Sequence, residues 1–324
     1  MSAGRTTYAV IGDPVEHSLS PRIFALLFAE LGIDAHYTAL RVTPQELPEA
    51  VARVRRGALA GVSVTLPHKE AILPLLDDVH PLAGRIGAVN CVVRSGNGTV
   101  QGYNTDLTGF RQALEEGGER LAAARVVLLG AGGAARAAAF ASVSAGAKSL
   151  VIANRSAERA MRLGLELVET GLAWPEGELR RSWEAGERPP ERPGAIRLGE
   201  VPGLAGPSGK CFVSVLPLEA KSLANAITHA EILVNATSLG LRDRDADPLP
   251  AGCPLHAGLT VLDMVYRPLQ TALLRRATVA GAASIDGLWM LVHQAIEQLR
   301  LWTGQATPPL LATRLHQQLV REIT

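Results

Sequence analysis

The chain has 324 residues, 47% of them hydrophobic and 19% charged, enough apolar material to bury the cores of about two domains. Its formal net charge is +1, from 32 Lys+Arg against 31 Asp+Glu, which argues against nucleic acid or an anionic membrane as the main partner. Cys91, Cys211 and Cys253 stand alone, without metal-ligand spacing, so neither a disulfide framework nor a bound metal is expected. No basic-then-apolar segment opens the chain. The low-polarity stretch Val126–Ala147 is broken by Gly130, Gly132, Gly133 and Arg136, so the expectation is a cytoplasmic protein without a membrane span.

Apolar, β-rich runs alternate with helical patterns along the chain. Tyr8–Ile11 reads as a strand. Pro21–Leu31 reads as a helix, with Ser20 as N-cap, Pro21 in the first helical position and Gly32 just past the end. Gly61–Leu66 and Ala88–Arg94 read as strands, with a helix starting near Pro67 between them. Leu107–Glu116 is a helix closed by Gly117-Gly118. Arg125–Leu129, Leu150–Ala153, Cys211–Val215, Glu231–Val234 and Leu259–Asp263 read as buried strands, and Ala157–Glu169 and Gly287–Trp302 as helices. The alternation is that of parallel sheets covered on both faces, in the α/β class. Between Gly171 and Lys210 the pattern fails: six prolines, eight glycines and mixed charges follow no period, which predicts a solvated insertion.

The strand Arg125–Leu129 runs directly into Gly130-Ala131-Gly132-Gly133-Ala134-Ala135-Arg136, which opens a helix. This fits the dinucleotide fingerprint. Gly130 allows the tight turn, Gly132 lets backbone N–H groups approach a pyrophosphate, and Ala135 keeps helix and strand close. The next strand ends in Asn154-Arg155-Ser156, with Arg159 following and no carboxylate to take a ribose 2′-hydroxyl. Two guanidiniums suit a 2′-phosphate, so the nucleotide read here is NADP rather than NAD.

Other polar residues stand in places that ask for a reason. Lys69 falls in the first turn of the helix after Pro67, where the dipole opposes a cation and a chemical role is invited. Asp106 opens the helix Leu107–Glu116, either as its N-cap or as a functional carboxylate. Asn90 lies in an apolar strand and needs a partner. Ser18 lacks the capping explanation that serves Ser20. Asn235-Ala236-Thr237 and Tyr266 follow buried strands, on the carboxyl edge where ligands of such sheets bind, and Gln294 sits in an amphipathic helix.

Together these segments resemble the shikimate dehydrogenase family from Tyr8 to about Thr303, Gly171–Lys210 excepted. The carrying motifs begin with Gly12-Asp13-Pro14-Val15-Glu16-His17-Ser18-Leu19-Ser20-Pro21, Val64-Thr65-Leu66-Pro67-His68-Lys69 and Gly87-Ala88-Val89-Asn90. Asn104-Thr105-Asp106, the glycine loop, Asn154-Arg155-Ser156, Asn235-Ala236-Thr237, Asp263-Met264-Val265-Tyr266 and Gly287-Leu288-Trp289-Met290-Leu291-Val292-His293-Gln294 follow in order. The resemblance implies reversible NADPH-dependent reduction of 3-dehydroshikimate to shikimate, on the way to chorismate and the aromatic amino acids. It implies a shikimate-binding domain over 1–107 and 286–324 and a Rossmann-type NADP domain over 108–285. By position, Lys69 and Asp106 match the catalytic pair, and Ser18, Ser20, Thr65, Asn90, Tyr266 and Gln294 match substrate contacts. Gly130, Ala131, Gly132, Gly133, Ala134, Asn154, Arg155, Ser156, Arg159, Thr237, Met264, Gly287 and Met290 match the cofactor contacts. The expected partners are shikimate or 3-dehydroshikimate, with no nucleic acid and no membrane, in a monomer or homodimer. Trp289 stands where many members carry a small residue. Three alternatives stay open: a quinate/shikimate dehydrogenase using NAD, a non-catalytic NADP-binding regulator on the same scaffold, and an NADP-dependent folate-intermediate dehydrogenase.

Overall fold

The alternating pattern resolves into two separate sheets. The computed structural model describes residues 5–169, 196–202 and 210–323. The chain divides into one unit of Met1–Gln112 with Leu288–Thr324 and a second of Ala113–Gly287.

The first unit begins with β1 (Thr6–Gly12), α1 (Ser20–Glu30), β2 (Ala35–Arg41), α2 (Leu47–Arg55), β3 (Gly61–Val64) and α3 (His68–Ala71). It continues with β4 (Asp78–Val79), α4 (Pro81–Ile86), β5 (Cys91–Arg94), β6 (Val100–Tyr103) and α5 (Asp106–Glu116), which from Ala113 onward belongs to the second unit. Its sheet has the order β2-β1-β3-β5-β6-β4. Strands β1, β2 and β3 are parallel, with Tyr8 facing Tyr37 on one side and Gly61 on the other. Beyond them this sheet is mixed, because β5 runs antiparallel to both β3 and β6. Between β5 and β6 the cause is the connection. Ser95 to Thr99 is too short for a crossover helix and turns through Gly98 at φ +89°, closing a hairpin. Strand residues Ile11, Val62, Val64 and Val92 bury against Leu47, Val51 and Val54 of α2.

The second unit contains β7 (Arg125–Leu129), α6 (Gly133–Ser144), β8 (Ser149–Asn154), α7 (Ala157–Glu169), β9 (Ile196–Pro202) and β10 (Lys210–Pro217). After these come α8 (Ala220–Thr228), β11 (Ile232–Asn235), β12 (Thr260–Asp263), α9 (Ala272–Val279) and β13 (Ala283–Ile285). The sheet order is β13-β12-β11-β7-β8-β10-β9. Without β9, this is the doubly wound dinucleotide-binding order, and the winding reverses between β7 and β11. Near-continuous apolar strands such as Val126–Leu129 suit a sheet covered on both faces. The stretch 171–210 departs from its expectation at one point: β9 is a regular edge strand, antiparallel to β10, with Leu198 against Gly164 of α7. Residues 170–195 and 203–209 lie outside the described residues, so the expectation of a solvated insertion is neither met nor refuted there.

Two more helices, α10 (Gly287–Thr303) and α11 (Leu311–Ile323), follow. From Leu288 onward α10 belongs to the first unit. Near its start it presses on α5 at Gly109, where a Cβ would come within 2.7 Å of the Met290 carbonyl oxygen. Near its end Trp302 covers Gly61, stacks on Tyr8 at 4.7 Å and donates from Nε1 to the Val92 carbonyl at 3.0 Å. These contacts fix the helix that carries Gln294 against the sheet. Among the described residues, no helix is long and apolar enough to cross a membrane.

Candidate active site

In the first unit the carboxyl ends of the central strands converge on Lys69 and Asp106. Strand β3 leads through Thr65, Leu66 and Pro67 into α3, which carries Lys69. The Lys69 carbonyl accepts from the Val89 N–H at 2.8 Å, tying α3 to the segment that leads into β5. Asn90 ends that segment, just before β5 rather than inside it. Its N–H donates to the Tyr103 carbonyl at 3.0 Å and its carbonyl accepts from Val64 N–H at 2.8 Å.

The Asn90 side chain is used at both ends. Its Oδ1 accepts from Thr105 N–H at 2.7 Å, and its Nδ2 donates to Asp106 Oδ1 at 2.7 Å. Lys69 Nζ donates to Asp106 Oδ2 at 2.5 Å, with the two side chains 17% and 6% exposed. α3 has only four residues, too few for a strong dipole, so what distinguishes Lys69 is this nearly buried partner. The capping reading of Asp106 is corrected. Asp106 is the first residue inside α5, and Asn104 caps it, accepting from Leu107 N–H at 3.3 Å through Oδ1. Asn104 can do so because its Nδ2 is anchored on the Ala88 carbonyl at 2.8 Å. The Asp106 carboxylate is therefore spared for Lys69 and Asn90.

The two serines also exchange roles. Leu19 takes the N-cap position of α1 and Ser20 is already helical, without a side-chain cap bond. Ser18 Oγ accepts from Ser20 N–H at 3.2 Å, so the hydroxyl near the helix start is that of Ser18. The Ser20 side chain is buried, and burial pushes the phenol of Tyr37, which donates to Ser63 Oγ at 2.5 Å, well up. Thr65 stands outside this network, its methyl against Gly12. Gln294 is 7% exposed, and its Oε1 accepts from Gln298 Nε2 at 2.7 Å and from Asn90 Nδ2 at 3.4 Å. Lys69, Asn90, Asp106 and Gln294 thus form one hydrogen-bonded cluster, of which Ser20 is not a member. The sequence reading missed Gln298, Ser63 and Tyr37. Only Gln298 had a legible signal, being one helical turn beyond Gln294.

In the second unit, Gly130 leaves β7 at φ +116°, and a Cβ there would stand 2.9 Å from the Ala236 carbonyl oxygen. At Gly132 a Cβ would meet nothing within 4 Å, so the loop Ala131–Ala134 is open on that side. α6 starts at Gly133 with no side-chain cap, which leaves its first N–H groups for an anion. These features fit a pyrophosphate. Asn154 donates to the Ser156 carbonyl at 3.0 Å, and Ser156 Oγ accepts from Arg159 N–H at 3.3 Å, which shapes the turn bearing exposed Arg155 and Arg159.

On the same strand edge, Thr237 donates from Oγ1 to Asn235 Oδ1 at 2.7 Å, and Asn235 Nδ2 donates to Asp263 Oδ1 at 2.8 Å. Asp263 is fully buried and also accepts from Val265 N–H at 3.0 Å and Thr271 Oγ1 at 2.7 Å. Burial pushes its carboxyl up to about 6, more than these three donors lower it. Met264 N–H donates to the Asn235 carbonyl at 2.9 Å, and Gly287 backs Met264 so closely that a Cβ would lie 2.5 Å from its carbonyl. Tyr266 follows β12 in this unit, and Met290, on α10, belongs to the first. The expected substrate contacts and the expected cofactor contacts are therefore each divided between the units.

A family model described as the shikimate dehydrogenase substrate binding domain matches residues 10–92. One described as shikimate/quinate 5-dehydrogenase matches 112–174, and one described as the shikimate 5'-dehydrogenase C-terminal domain matches 287–314. A shikimate dehydrogenase (NADP(+)) of Methanosarcina mazei is 40% identical over 308 residues, covering 94% of this chain and 95% of that protein. The shikimate 5-dehydrogenase of Thermus thermophilus, solved with NADP(H) and shikimate, is 36% identical, covers 97% of this chain and 99% of its own, and superposes with a TM-score of 0.75. A shikimate dehydrogenase solved with NADP+ is 29% identical over 100% of this chain and 98% of its own, with a TM-score of 0.79. Sequence likeness over nearly the whole length and the two-sheet fold agree: the chain belongs to the shikimate dehydrogenase family.

Proposed function

We propose that this protein catalyses the reversible NADPH-dependent reduction of 3-dehydroshikimate to shikimate, with Lys69 and Asp106 as its catalytic pair. The observation that carries the reading is the nearly buried Lys69–Asp106 ion pair at 2.5 Å, with Asn90 on the second carboxylate oxygen. NADPH, when bound, supplies the hydride to the ring carbonyl. Lys69, as ammonium, donates a proton to the oxygen that gains charge, and takes it back in the oxidation of shikimate. Asp106 holds Lys69 in line and offers an acceptor to a reacting hydroxyl. Asn90 fixes Asp106, so the carboxylate does not have to reorganise during the reaction.

Ser18, Ser20, Thr65, Asn90, Tyr266 and Gln294 are the substrate contacts in this reading. Short hydroxyls and amides suit a carboxylated polyol. The residues of the glycine loop, Ala131 to Ala134 with Gly130, would hold the pyrophosphate, and Asn154, Arg155, Ser156 and Arg159 the 2′-phosphate end. Thr237, Met264, Gly287 and Met290 complete the cofactor contacts. The same reading gives a cytoplasmic monomer or homodimer with small-molecule partners; the near-neutral charge of +1 supports partners other than nucleic acid or an anionic membrane.

The test is absorbance at the nicotinamide band, with shikimate or quinate against NADP+ or NAD+. Turnover of shikimate with NADP+ above the other three combinations is expected. Preference for quinate or NAD+ would favour the broader dehydrogenase, and no turnover with any pair would sink the reading.

A further inference from the structure

The side chain below Gln294 on the same face of α10 is Gln298, which is 1% exposed and stands outside the expected substrate and cofactor contacts. We infer that Gln298 is a positioning residue that sets which end of the Gln294 amide faces the substrate. The inference rests on the functional reading above for the identity of that substrate.

The polarity is fixed from a group that cannot change its role. The Asn90 carbonyl can only accept, and it faces Gln298 Nε2 at 3.2 Å. The amide nitrogen of Gln298 therefore points towards the catalytic cluster. Its oxygen points the other way, where the Ser63 hydroxyl donates to it. Ser63 has then spent its only hydrogen, so the Tyr37 hydroxyl, 2.5 Å from Ser63 Oγ, must be the donor in that pair. Reversing Gln298 would set two acceptors against each other at Asn90 and leave Ser63 and Tyr37 to rearrange. All four groups are buried, where an unsatisfied polar atom costs most.

With this orientation imposed, Gln298 Nε2 donates to Gln294 Oε1 at 2.7 Å. Asn90 Nδ2, 3.4 Å from the same oxygen, adds a second donor. The Gln294 oxygen is thereby engaged inside the protein. Gln294 Nε2 gives one hydrogen to the Leu291 carbonyl at 2.7 Å, and its other hydrogen has no acceptor among the described residues. Gln294 thus presents an N–H donor, suited to the oxygen of a ring hydroxyl. An asparagine or glutamine amide has almost the same shape in both orientations, so only such a chain of one-way bonds can hold it.

Gln298→Met keeps the volume and removes the polarity. We expect KM for shikimate to rise about tenfold, the effect of losing one oriented hydrogen bond, with kcat changed less than about threefold. KM for NADP+ should not move. In the Gln294→Ala background the same substitution should change shikimate KM by less than about twofold, because the group through which it acts is gone. Gln298→Glu is the second variant, should the first not fold. It keeps the shape but offers only acceptors, so Gln294 must turn its nitrogen inward, and the same rise in KM is expected. An unchanged shikimate KM, or the same loss with and without Gln294, would overturn the inference. These variants are read against the wild-type rate with shikimate and NADP+. A normal wild type with silent variants removes only the role of Gln298, whereas an inactive wild type removes the functional reading beneath it.

Discussion

Asp106 lies one residue too late to cap its own helix, and this displacement is what frees it to meet Lys69 at 2.5 Å. Asn104 does the capping, two positions earlier. Lys69→Ala should lower kcat by about 10²–10⁴-fold, the usual worth of a positioned acid–base group, with little change in KM. Asp106→Asn should lower kcat too while leaving the cap intact. Steady-state kinetics with shikimate and NADP+ checks both, and a near-normal kcat for Lys69→Ala would reduce the pair to a structural ion pair.

Ser18 and Ser20 should separate on substitution. Each is expected to raise KM for shikimate more than it changes kcat, since a hydrogen bond to a carboxylate is worth about 1.5–3 kcal/mol. Ser18→Ala also loses the bond its Oγ accepts from Ser20 N–H at the start of α1, so it should lower the unfolding midpoint more than Ser20→Ala does. Equal KM values for wild type and both variants would remove the serines from the substrate.

Arg155→Ala and Arg159→Ala should weaken NADP+ binding and leave NAD+ binding nearly as it was. Arg155 is exposed on the turn after β8 and Arg159 in the first turn of α7, and only NADP+ carries the 2′-phosphate they would meet. Titration calorimetry with the two nucleotides measures the difference. Parallel losses for both would show that the arginines serve the fold or the pyrophosphate.

Asp263 predicts a pH effect on stability. Its carboxyl is pushed from the ordinary 3.8 up to about 6, so the native state holds the proton more tightly than the unfolded chain. The resulting stability is complete below the ordinary value and is lost as pH rises through about 6. The difference corresponds to about 3 kcal/mol. Asp263→Asn lacks the titration, so the stability of wild type relative to this variant should fall by about that amount from pH ~4 to pH ~7. Urea unfolding at both pH values measures it, and a flat difference would mean that burial does not control Asp263.

The sequence made the second sheet legible, because strands such as Arg125–Leu129 are continuously apolar and the glycine loop joins strand to helix with no ambiguity. It made the antiparallel half of the first sheet illegible. The short strand β6, Val-Gln-Gly-Tyr, carries too little pattern to be separated from a loop. Lys69, Asp106 and Asn90 stood out as polar residues in costly places, but their bonds did not. Which of Asn104 and Asp106 caps α5, and which of Ser18 and Ser20 lies inside α1, depends on one residue of helix boundary, finer than propensity resolves. The spacing from Gln294 made Gln298 noticeable but not its role, because a buried amide in an amphipathic helix has meaning only through Ser63 and Asn90, both more than two hundred positions away.

The added strand β9 changes how the second sheet meets other chains. A parallel sheet ending at β10 would expose a straight row of unpaired N–H and C=O groups, a template for intermolecular pairing. Here β9 covers that row in the opposite direction, with a register shift at Val213/Ser214, and it ends at Pro202, which has no N–H to offer. The strand that becomes the new margin is therefore a poorer template than the one it hides, and a chain lacking 196–202 would be expected to self-associate more readily.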